Sequence, residues 1–306
     1  MRFDLRDWTA VQPGSDAPAY LAASSDTVLW GRLPCSEDTA VVEVASGAVL
    51  TIDTVSHEGL LPDQGQDPLA FFGGHGVPRE LVLHDAIEIA ATVPRDAADG
   101  PHVVTGPIAV RGARPRDLLR IDVLELEPRV PYGVISNRHG RGALPGEYPA
   151  TSETVSVFAA VEETANGLVG LLPRTADGDA VVRFPLEPFL GLMGVAVAGA
   201  ERPHSVPPGA HGGNIDIRLL TVGSSLLLPV QVPDALAYVG DPHFAQGDGE
   251  VALTAMEAPL RATLRFTVVP EQRALAEYGR VTGPLVVTPE FLVPTGLSED
   301  LDEAVQ

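Results

Sequence analysis

The segment from Gly240 to Glu250 concentrates side chains that bind metal ions or exchange protons. Asp241, His243, Asp248 and Glu250 stand within ten positions, with the amide of Gln246 between them. In an extended chain alternate residues point to the same side, which groups Asp241 with His243 and groups the other three together. Carboxylates this close repel each other unless a cation lies among them or one is protonated. The segment therefore predicts a metal or acid/base site, with a solvated acidic loop as the alternative.

A second polar run, from Pro207 to Asp216, places His211, Asn214 and Asp216 around a double glycine. Glycine lets the backbone approach a ligand closely or adopt a positive φ. His211 and Asp216 are suitable ligands for a hard or borderline metal ion. The alternative is a polar turn in which Asp216 caps a strand over 217–222.

Two apolar segments flank the Gly240 to Glu250 run and predict strands over 226–232 and 251–257, which would place it at the rim of a sheet. Apolar and polar residues alternate over 118–126 and 262–268, as in strands with one buried face. Further strands are expected over 41–44 and 48–53. One short helix is expected over 271–278 and a helix start at 298–304, whereas 81–93 fits either a strand or a helix. These patterns predict a mainly β fold with few short helices.

Composition excludes several kinds of chemistry. The 306 residues include no lysine, 20 arginines and one cysteine, with a formal net charge of −21. Without lysine there is no Walker A loop, no lysine Schiff base and no lysine-activated nucleophile. The excess of carboxylates argues against nucleic-acid binding, which needs a basic stripe.

The single Cys35 cannot form an intrachain disulfide or a cysteine zinc cluster, and its context indicates a buried structural thiol. The charged first residues lack the apolar core of a signal peptide, and the longest apolar stretch, 189–200, is too short to span a membrane. We therefore expect a soluble cytoplasmic protein without membrane partners. A loop-rich connection over 131–150 is expected to join an amino-terminal β subdomain, 1–130, to a carboxyl β subdomain, 151–306, that carries the acidic and histidine residues.

The motifs described above resemble those of the acetamidase/formamidase family, and the similarity covers roughly residues 40–304. The Gly240 to Glu250 string is long and chemically unusual, which makes it the most specific of these motifs. The runs that carry the resemblance are Thr105–Ala113 with Pro115–Asp117, Gly191–Ala196, His211–Asp216, the strand ending in Leu228–Val230, Gly240–Glu250, and Thr288–Glu290 with Thr295–Gly296.

The resemblance implies a mainly β fold with a jelly-roll-like or barrel core, assembly into homo-oligomers, and hydrolysis of a short amide to ammonia and a carboxylate. Three departures from the family pattern stand out. Val195 occupies a position where some members carry cysteine, so a cysteine nucleophile is impossible there. The loop 131–142 lacks a Gly-Trp-Gly element, and the helix after 298–304 is shorter than in other members, so the chain ends early or is a fragment.

With no lysine and no cysteine at that position, water is the expected nucleophile, assisted by a divalent metal ion such as zinc, with calcium as the other possibility. The candidate ligands are His211, Asp216, Asp241 and His243. Glu250 is the candidate general base, or a covalent nucleophile if no metal is bound. Asp248 and Glu257 are the rival bases, and Gln246 and Asn214 are candidates to hold the amide or the developing oxyanion.

Other polar residues leave alternatives open. Asp53, His57 and Glu58 either complete a metal shell or have ordinary structural roles, whereas His102 and His204 are expected in surface turns. The arginines of 131–142, Arg138 and Arg141, either recognise a carboxylate on the substrate or pair with surface acids. A different class of protein also fits the motifs: a non-catalytic calcium- or carbohydrate-binding β-sandwich. Calcium prefers oxygen ligands, so the histidines favour the enzyme.

Overall fold

The computed structural model describes Leu5 and residues 8–174 and 181–305. Its strands are short to medium in length, as the frequent glycines and prolines predict. They are β1 Tyr20–Leu21, β2 Val28–Trp30, β3 Val42–Ala45, β4 Ala48–Asp53, β5 Val103–Arg111, β6 Leu118–Pro128, β7 Tyr132–Arg138, β8 Thr154–Thr164, β9 Gly167–Pro173, β10 Val181–Pro185, β11 Phe189–Val195, β12 Gly212–Asn214, β13 Ser225–Pro229, β14 Ala237–Ala245, β15 Met256–Glu257, β16 Leu260–Val269, β17 Leu285–Val287 and β18 Leu292–Pro294.

Four short α-helices accompany the strands in the described part of the chain. They are α1 Pro68–Gly74, α2 His84–Thr92, α3 Glu271–Tyr278 and α4 Leu301–Val305. Three single-turn 3₁₀ helices lie at Pro62–Gln64, Arg79–Leu81 and Asp248–Glu250. None of the helices among the described residues combines the length and the apolar character needed to cross a membrane.

Within the described residues the strands form two large sheets. The smaller has the order β1-β4-β16-β6-β13-β17-β18, and the larger runs β10-β9-β8-β7-β15-β14-β11-β12. Strand β5 joins the larger sheet by pairing with β14, β2 and β3. This architecture confirms the predicted mainly β class with few short helices.

The main core lies between the two sheets. Alternate residues of β6 and β16 are buried, as their apolar–polar alternation predicts. Their apolar side chains pack with those of β11 and β14 from the larger sheet, including Ile121, Phe266, Met193 and Val239. A second core, around Ile89 and neighbouring residues, joins α1 and α2 to β7 and β8.

Several predicted elements match the structure closely. The helix over 271–278 and the strand over 48–53 are confirmed at both ends. The ambiguous segment 81–93 contains helix α2, which buries residues three and four positions apart on one face, Asp85, Ala86, Ile89 and Ala90.

Two segments differ from the strands considered for them: 217–222, a strand in the polar-turn alternative, and 251–257, a predicted strand that forms only in part. Residues 217–222 form turns, in which the Leu220 N–H donates to the Ile217 carbonyl at 2.9 Å. Of the strand predicted over 251–257 only β15 forms, because Glu250 (φ 44°) and Leu253 (φ 90°) adopt left-handed conformations that an extended strand does not contain.

Strands from both predicted subdomains pair with each other. Strand β16 lies between β4 and β6, and β14 pairs with β5. The predicted connection 131–150 begins with β7, which pairs with β8 and β15. The division into subdomains 1–130 and 151–306 remains a prediction.

Candidate functional site

Strand β14 carries the two central residues of the site. Asp241 and His243 are two positions apart in this strand and both side chains are buried. Strand β15 pairs with β14 so that Glu257 lies directly opposite His243. The His243 Nε2 atom is 3.1 Å from Glu257 Oε1 and 3.3 Å from Asp241 Oδ2.

Two further histidines approach Asp241 from the amino-terminal half of the chain. His57 follows β4 and its Nδ1 atom is 3.3 Å from Asp241 Oδ1. His102 precedes β5, and its Nε2 atom is 3.7 Å from Asp241 Oδ2. Asp241, only 4% exposed, is thus contacted by three imidazoles, counting His243.

Asp216 and Glu250 complete the group, since each has an oxygen within 4.8 Å of a potential ligand atom of His243. We call the whole set the Asp241 cluster. It consists of His57, His102, Asp216, Asp241, His243, Glu250 and Glu257.

Three acids of the Asp241 cluster have left-handed backbone conformations. Asp216 has φ 45°, Asp241 φ 50° and Glu250 φ 44°, a region that few non-glycine residues occupy. At Asp216 the conformation is held by Gly191, whose carbonyl accepts from the N–H groups of Ile215 and Asp216 at 3.0 Å. Such backbone strain persists where surrounding structure determines it and is concentrated at functional sites.

Gly191 of β11 also provides space for the cluster. A Cβ atom at this position would lie 2.4 Å from Cε1 of His243 and 2.5 Å from Oδ1 of Asp216. Both distances are far below van der Waals contact, so any larger residue must displace these two side chains.

We therefore expect Gly191→Ala to lower catalytic activity by about 10- to 100-fold, since displacements near 1 Å at a reacting centre have effects of this size. Activity and the thermal unfolding midpoint of the purified variant measure this. Gly74→Ala is the matched control, because a Cβ at Gly74 meets no atom within 4 Å. Full activity in Gly191→Ala would contradict the inferred constraint.

The histidines of the Asp241 cluster differ in their protonation. Burial lowers the pKa of His102 to about 4, although the attraction of Asp241 opposes the change. Burial also opposes the charged form of His57, but the neighbouring carboxylates of Asp241, Glu58 and Glu257 outweigh it and raise the pKa to about 10. His243 likewise has a raised pKa, since Glu257 and Asp241 outweigh the effect of burial.

The acids of the cluster also differ. Burial disfavours ionisation of Asp241, but His102 and His243 outweigh it and hold its pKa well below the usual range. Burial raises the pKa of Asp216 well above its usual value, despite the opposing effect of His243. Burial also raises the pKa of Glu257, to about 7, with His243 opposing. The closely packed acids therefore divide: Asp241 favours its ionised form, whereas burial shifts Asp216 and Glu257 towards their protonated forms.

Several buried polar atoms of the cluster lack a hydrogen-bond partner among the described residues. Buried polar atoms are normally satisfied, so a group of unsatisfied ones indicates a missing ligand. Ring nitrogens and carboxylate oxygens are also the atoms that bind a divalent cation. The cluster therefore fits a divalent metal ion. The atoms are His57 Nδ1, both ring nitrogens of His243, Asp216 Oδ1, Asp241 Oδ1 and Glu257 Oε2.

A cavity of about 610 Å³ connects the cluster to solvent. Its inner wall includes His57, His102, Asp241 and Glu257. The outer wall carries basic side chains, which are Arg95, Arg138, His139, Arg141 and His204. A small molecule can thus reach the Asp241 cluster.

The structure brings together part of the residue set predicted from sequence. Asp216, Asp241, His243, Glu250 and Glu257 all belong to the Asp241 cluster. Asn214 lines the same cavity; its Nδ2 donates to the Val206 carbonyl at 3.3 Å, and its buried Oδ1 has no partner among the described residues.

Three other candidates lie outside the cluster. His211 is buried, but it does not line the cavity. Gln246 donates through Nε2 to the Asp216 carbonyl at 3.0 Å, so it holds the backbone next to the cluster. Asp248, whose side chain is 86% exposed, pairs with Arg218 at 3.2 Å. The expected same-side arrangement of Gln246, Asp248 and Glu250 is wrong, because 248–250 forms a 3₁₀ turn.

Sequence reasoning placed His102 in a surface turn, and this is wrong: the side chain is buried and its Nδ1 is 3.0 Å from Ser205 Oγ. The available signal was its position immediately before the apolar strand β5. His57, for which a metal-shell role was one alternative, does join the cluster. Its neighbour Glu58 lies 3.3 Å from His57 Nε2, on the side away from Asp241.

Fold and site together define a two-sheet, mainly β protein with a buried histidine–carboxylate cluster at the base of a cavity. The chain matches the model of the Acetamidase/Formamidase family over residues 88–200 and 196–305. Because these segments cover more than half of the sequence, the chain belongs to the acetamidase/formamidase family. The resemblance inferred from the motifs is thereby confirmed.

Two relatives support this membership. A formamidase of Methylophilus methylotrophus is 30% identical over 247 residues, a match covering 65% of this chain and 60% of that protein. An acetamidase of Mycolicibacterium smegmatis is 30% identical over an alignment of 199 residues, a match covering 49% of this chain and 49% of that protein. The matched part of the chain thus spans less than two thirds of either relative.

Solved structures share the fold. A predicted acetamidase/formamidase from Thermoanaerobacter tengcongensis superposes with a TM-score of 0.68 at 24% identity, covering 94% of this chain and 79% of that one. An acetamidase from Bacillus halodurans gives 0.67 at 23% identity, covering 93% and 80%. A gamma lactamase from Delftia acidovorans gives 0.60 at 21% identity, covering 90% and 71%.

Proposed function

We propose that this chain hydrolyses the C–N bond of a small amide to ammonia and a carboxylate, with a divalent metal ion bound in the Asp241 cluster. The observation that carries the proposal is a buried carboxylate contacted by three imidazoles at the base of an open cavity. Membership in the acetamidase/formamidase family supports the same reaction.

Asp241, His243, His57 and His102 are the residues that would hold the metal, with Glu257 as a further ligand or an orienting partner of His243. This set combines nitrogen and oxygen donors, which suits zinc, whereas calcium takes oxygen donors. When bound, such an ion supplies a Lewis acid for the amide carbonyl and lowers the pKa of water.

Glu250 is the proposed general base. Its side chain lines the cavity beside Asp216 and His243, where it can accept the proton of the attacking water and return it to the departing nitrogen. Asn214 is proposed to position the substrate. Its Oδ1 has no partner among the described residues and can accept a hydrogen bond from the amide N–H. The metal-ligand role predicted for His211 remains a prediction, as does the base role of Asp248.

Amide hydrolysis is expected to require the metal. Removing bound divalent ions with a chelator should lower ammonia release from formamide and acetamide at least about tenfold, since metal ions supply several kcal/mol of transition-state stabilisation. Adding zinc back should restore it. Ammonia release and elemental analysis of the same samples measure activity and metal content together.

Two outcomes would contradict this proposal in different ways. If a panel of short amides releases no ammonia and the protein binds calcium tightly, the alternative of a non-catalytic calcium-binding β-sandwich is favoured over an amidase. Undiminished turnover by a protein without stoichiometric metal would refute the metal-assisted mechanism. The remaining mechanism would use Glu250 as a covalent nucleophile. Assembly into homo-oligomers and cytoplasmic location remain predictions.

A further inference from the structure

The cavity is much larger than the smallest amides require. Its volume of about 610 Å³ lies within the ~300–1,000 Å³ typical of pockets for larger organic ligands. Six acids line it together with three arginines of the outer wall; the acids are Asp63, Asp99, Asp216, Asp241, Glu250 and Glu257. What those arginines contact decides whether they can bind a substrate.

Arg138 is already neutralised by acids. Its Nε donates to Asp63 Oδ2 at 2.7 Å, and its two terminal nitrogens lie 3.3 Å from Glu58 Oε1. Arg138 therefore has the pairing role that was the alternative to substrate recognition.

Arg95 is held by its own loop. Its Nε donates to the Gly100 carbonyl at 2.7 Å and its NH2 group donates to the Asp99 carbonyl at 2.6 Å. Carbonyl groups orient a guanidinium but do not neutralise its charge.

Arg141 differs from both. Among the residues that the structure describes, no carboxylate or carbonyl pairs with its guanidinium, although 41 acidic residues are present in the chain. Its backbone is fixed by turns: the Arg141 N–H donates to the Arg138 carbonyl at 3.0 Å, and that of Gly140 to the Pro145 carbonyl at 2.8 Å. The next residue, Gly142, lies against the backbone of Leu253.

Arg95 and Arg141 both line the cavity, as do Asp63 and Asp99. Burial lowers the pKa of Arg95, Asp99 and Asp63 oppose this change, and repulsion from the nearby Arg141 adds a smaller lowering. Two guanidinium groups that repel each other at a cavity wall favour binding of an anion between them.

We propose that Arg141, assisted by Arg95, binds a carboxylate at the far end of the substrate, so that the enzyme acts on amides of dicarboxylic acids. This inference rests on the proposed amidase function. In the reaction, water adds to the amide carbonyl carbon, the C–N bond breaks, and ammonia leaves with the transferred proton. Succinamate and water thereby give succinate and ammonium.

The test compares malonamate, succinamate and glutaramate with the neutral amides that carry a methyl group in place of the carboxylate: propionamide, butyramide and valeramide. The parent should show a higher kcat/KM for at least one anionic amide than for its neutral counterpart. Arg141→Gln should lower kcat/KM for that anionic amide by about 10- to 100-fold, the range of a charge-assisted hydrogen bond. The effect on the neutral amide should stay within about twofold.

Arg273→Gln is the matched control, because Arg273 is exposed on α3, pairs with Glu277 at 3.2 Å and does not line the cavity. It should leave both classes of substrate unaffected. No preference for anionic amides in the parent, or equal losses for anionic and neutral amides in Arg141→Gln, would overturn the proposal.

A binding measurement separates this proposal from the amidase function. By calorimetry, the parent should bind succinate more tightly than butyrate, and Arg141→Gln should remove the difference. Tighter binding of succinate that depends on Arg141 would support the anion site even if the protein hydrolysed no amide. Absence of hydrolysis would refute only the proposed amidase function. Equal binding of succinate and butyrate by the parent, or a difference that Arg141→Gln leaves intact, would overturn the anion site.

Discussion

Asp241→Asn is expected to lower kcat/KM for small amides by about 1,000-fold or more, equivalent to ~4 kcal/mol of transition-state stabilisation. The substitution conserves shape but removes the negative charge around which His57, His102 and His243 are arranged. It also presents amide N–H donors to these imidazoles, so the variant should lose affinity for a divalent ion. Ammonia release and elemental analysis measure the two effects.

Asp302→Asn is the matched control for this prediction, because Asp302 is exposed on α4 and does not line the cavity. Its activity should stay within about twofold of the parent. Both variants should retain the parent's circular dichroism spectrum, so that lost activity is not lost folding. An Asp241→Asn variant with more than a tenth of the parent's activity and full metal content would place the reaction elsewhere.

The part of the site that sequence could predict lies on one continuous segment. Asp241 and His243 lie two positions apart in β14, for which a period of two predicts one shared face. Their side chains do meet, although Asp241 itself has φ 50°. The same reasoning is wrong for Gln246, Asp248 and Glu250. There Gly249 and Glu250 turn the chain with φ 76° and 44°. Periodicity is informative where the segment pairs as a strand, as β14 does, and is wrong where the chain turns.

Residues from distant segments could not be placed. His102 reaches Asp241 because β5 pairs with β14, with Val104 opposite Gly240. That pairing spans more than 130 residues, and no local pattern specifies it. Proline on one side of His102 suggested a surface turn, whereas the tertiary pairing buries the side chain.

The fold class was predictable because it depends on repeated local signals. Alternation in 118–126 and 262–268 predicted the strands β6 and β16, which pair with each other along almost their whole length. Sheet order was not predictable, since it depends on which apolar faces meet. The predicted loop-rich connection 131–150 illustrates this limit. Arg129 lies just before it in the sequence, yet the fold buries its side chain fully.

Arg129 is also the residue whose loss should most affect stability. Its side chain is 0% exposed, its NH1 lies 2.7 Å from Asp85 Oδ2, and its NH2 lies 3.3 Å from Asp53 Oδ2. NH1 also donates to the Thr54 carbonyl at 3.0 Å. Removing one partner of such a buried pair leaves the other charge without compensation, which typically destabilises by about 3–5 kcal/mol. We expect Arg129→Met to lower the free energy of unfolding by this amount in urea titrations.

A double variant distinguishes charge pairing from packing as the cause. In Arg129→Met the carboxylate of Asp85 is left buried without its cation, whereas Asp53 still pairs with Arg261 at 2.7 Å. Combining Arg129→Met with Asp85→Asn should therefore recover part of the lost stability, because the buried group is then neutral. Arg265→Met is the matched control: Arg265 is 45% exposed and lies 3.9 Å from Asp122, so its loss should change stability by less than about 1 kcal/mol. A double variant less stable than Arg129→Met alone would show that Arg129 stabilises the fold by filling space between the elements, and that its charge contributes little.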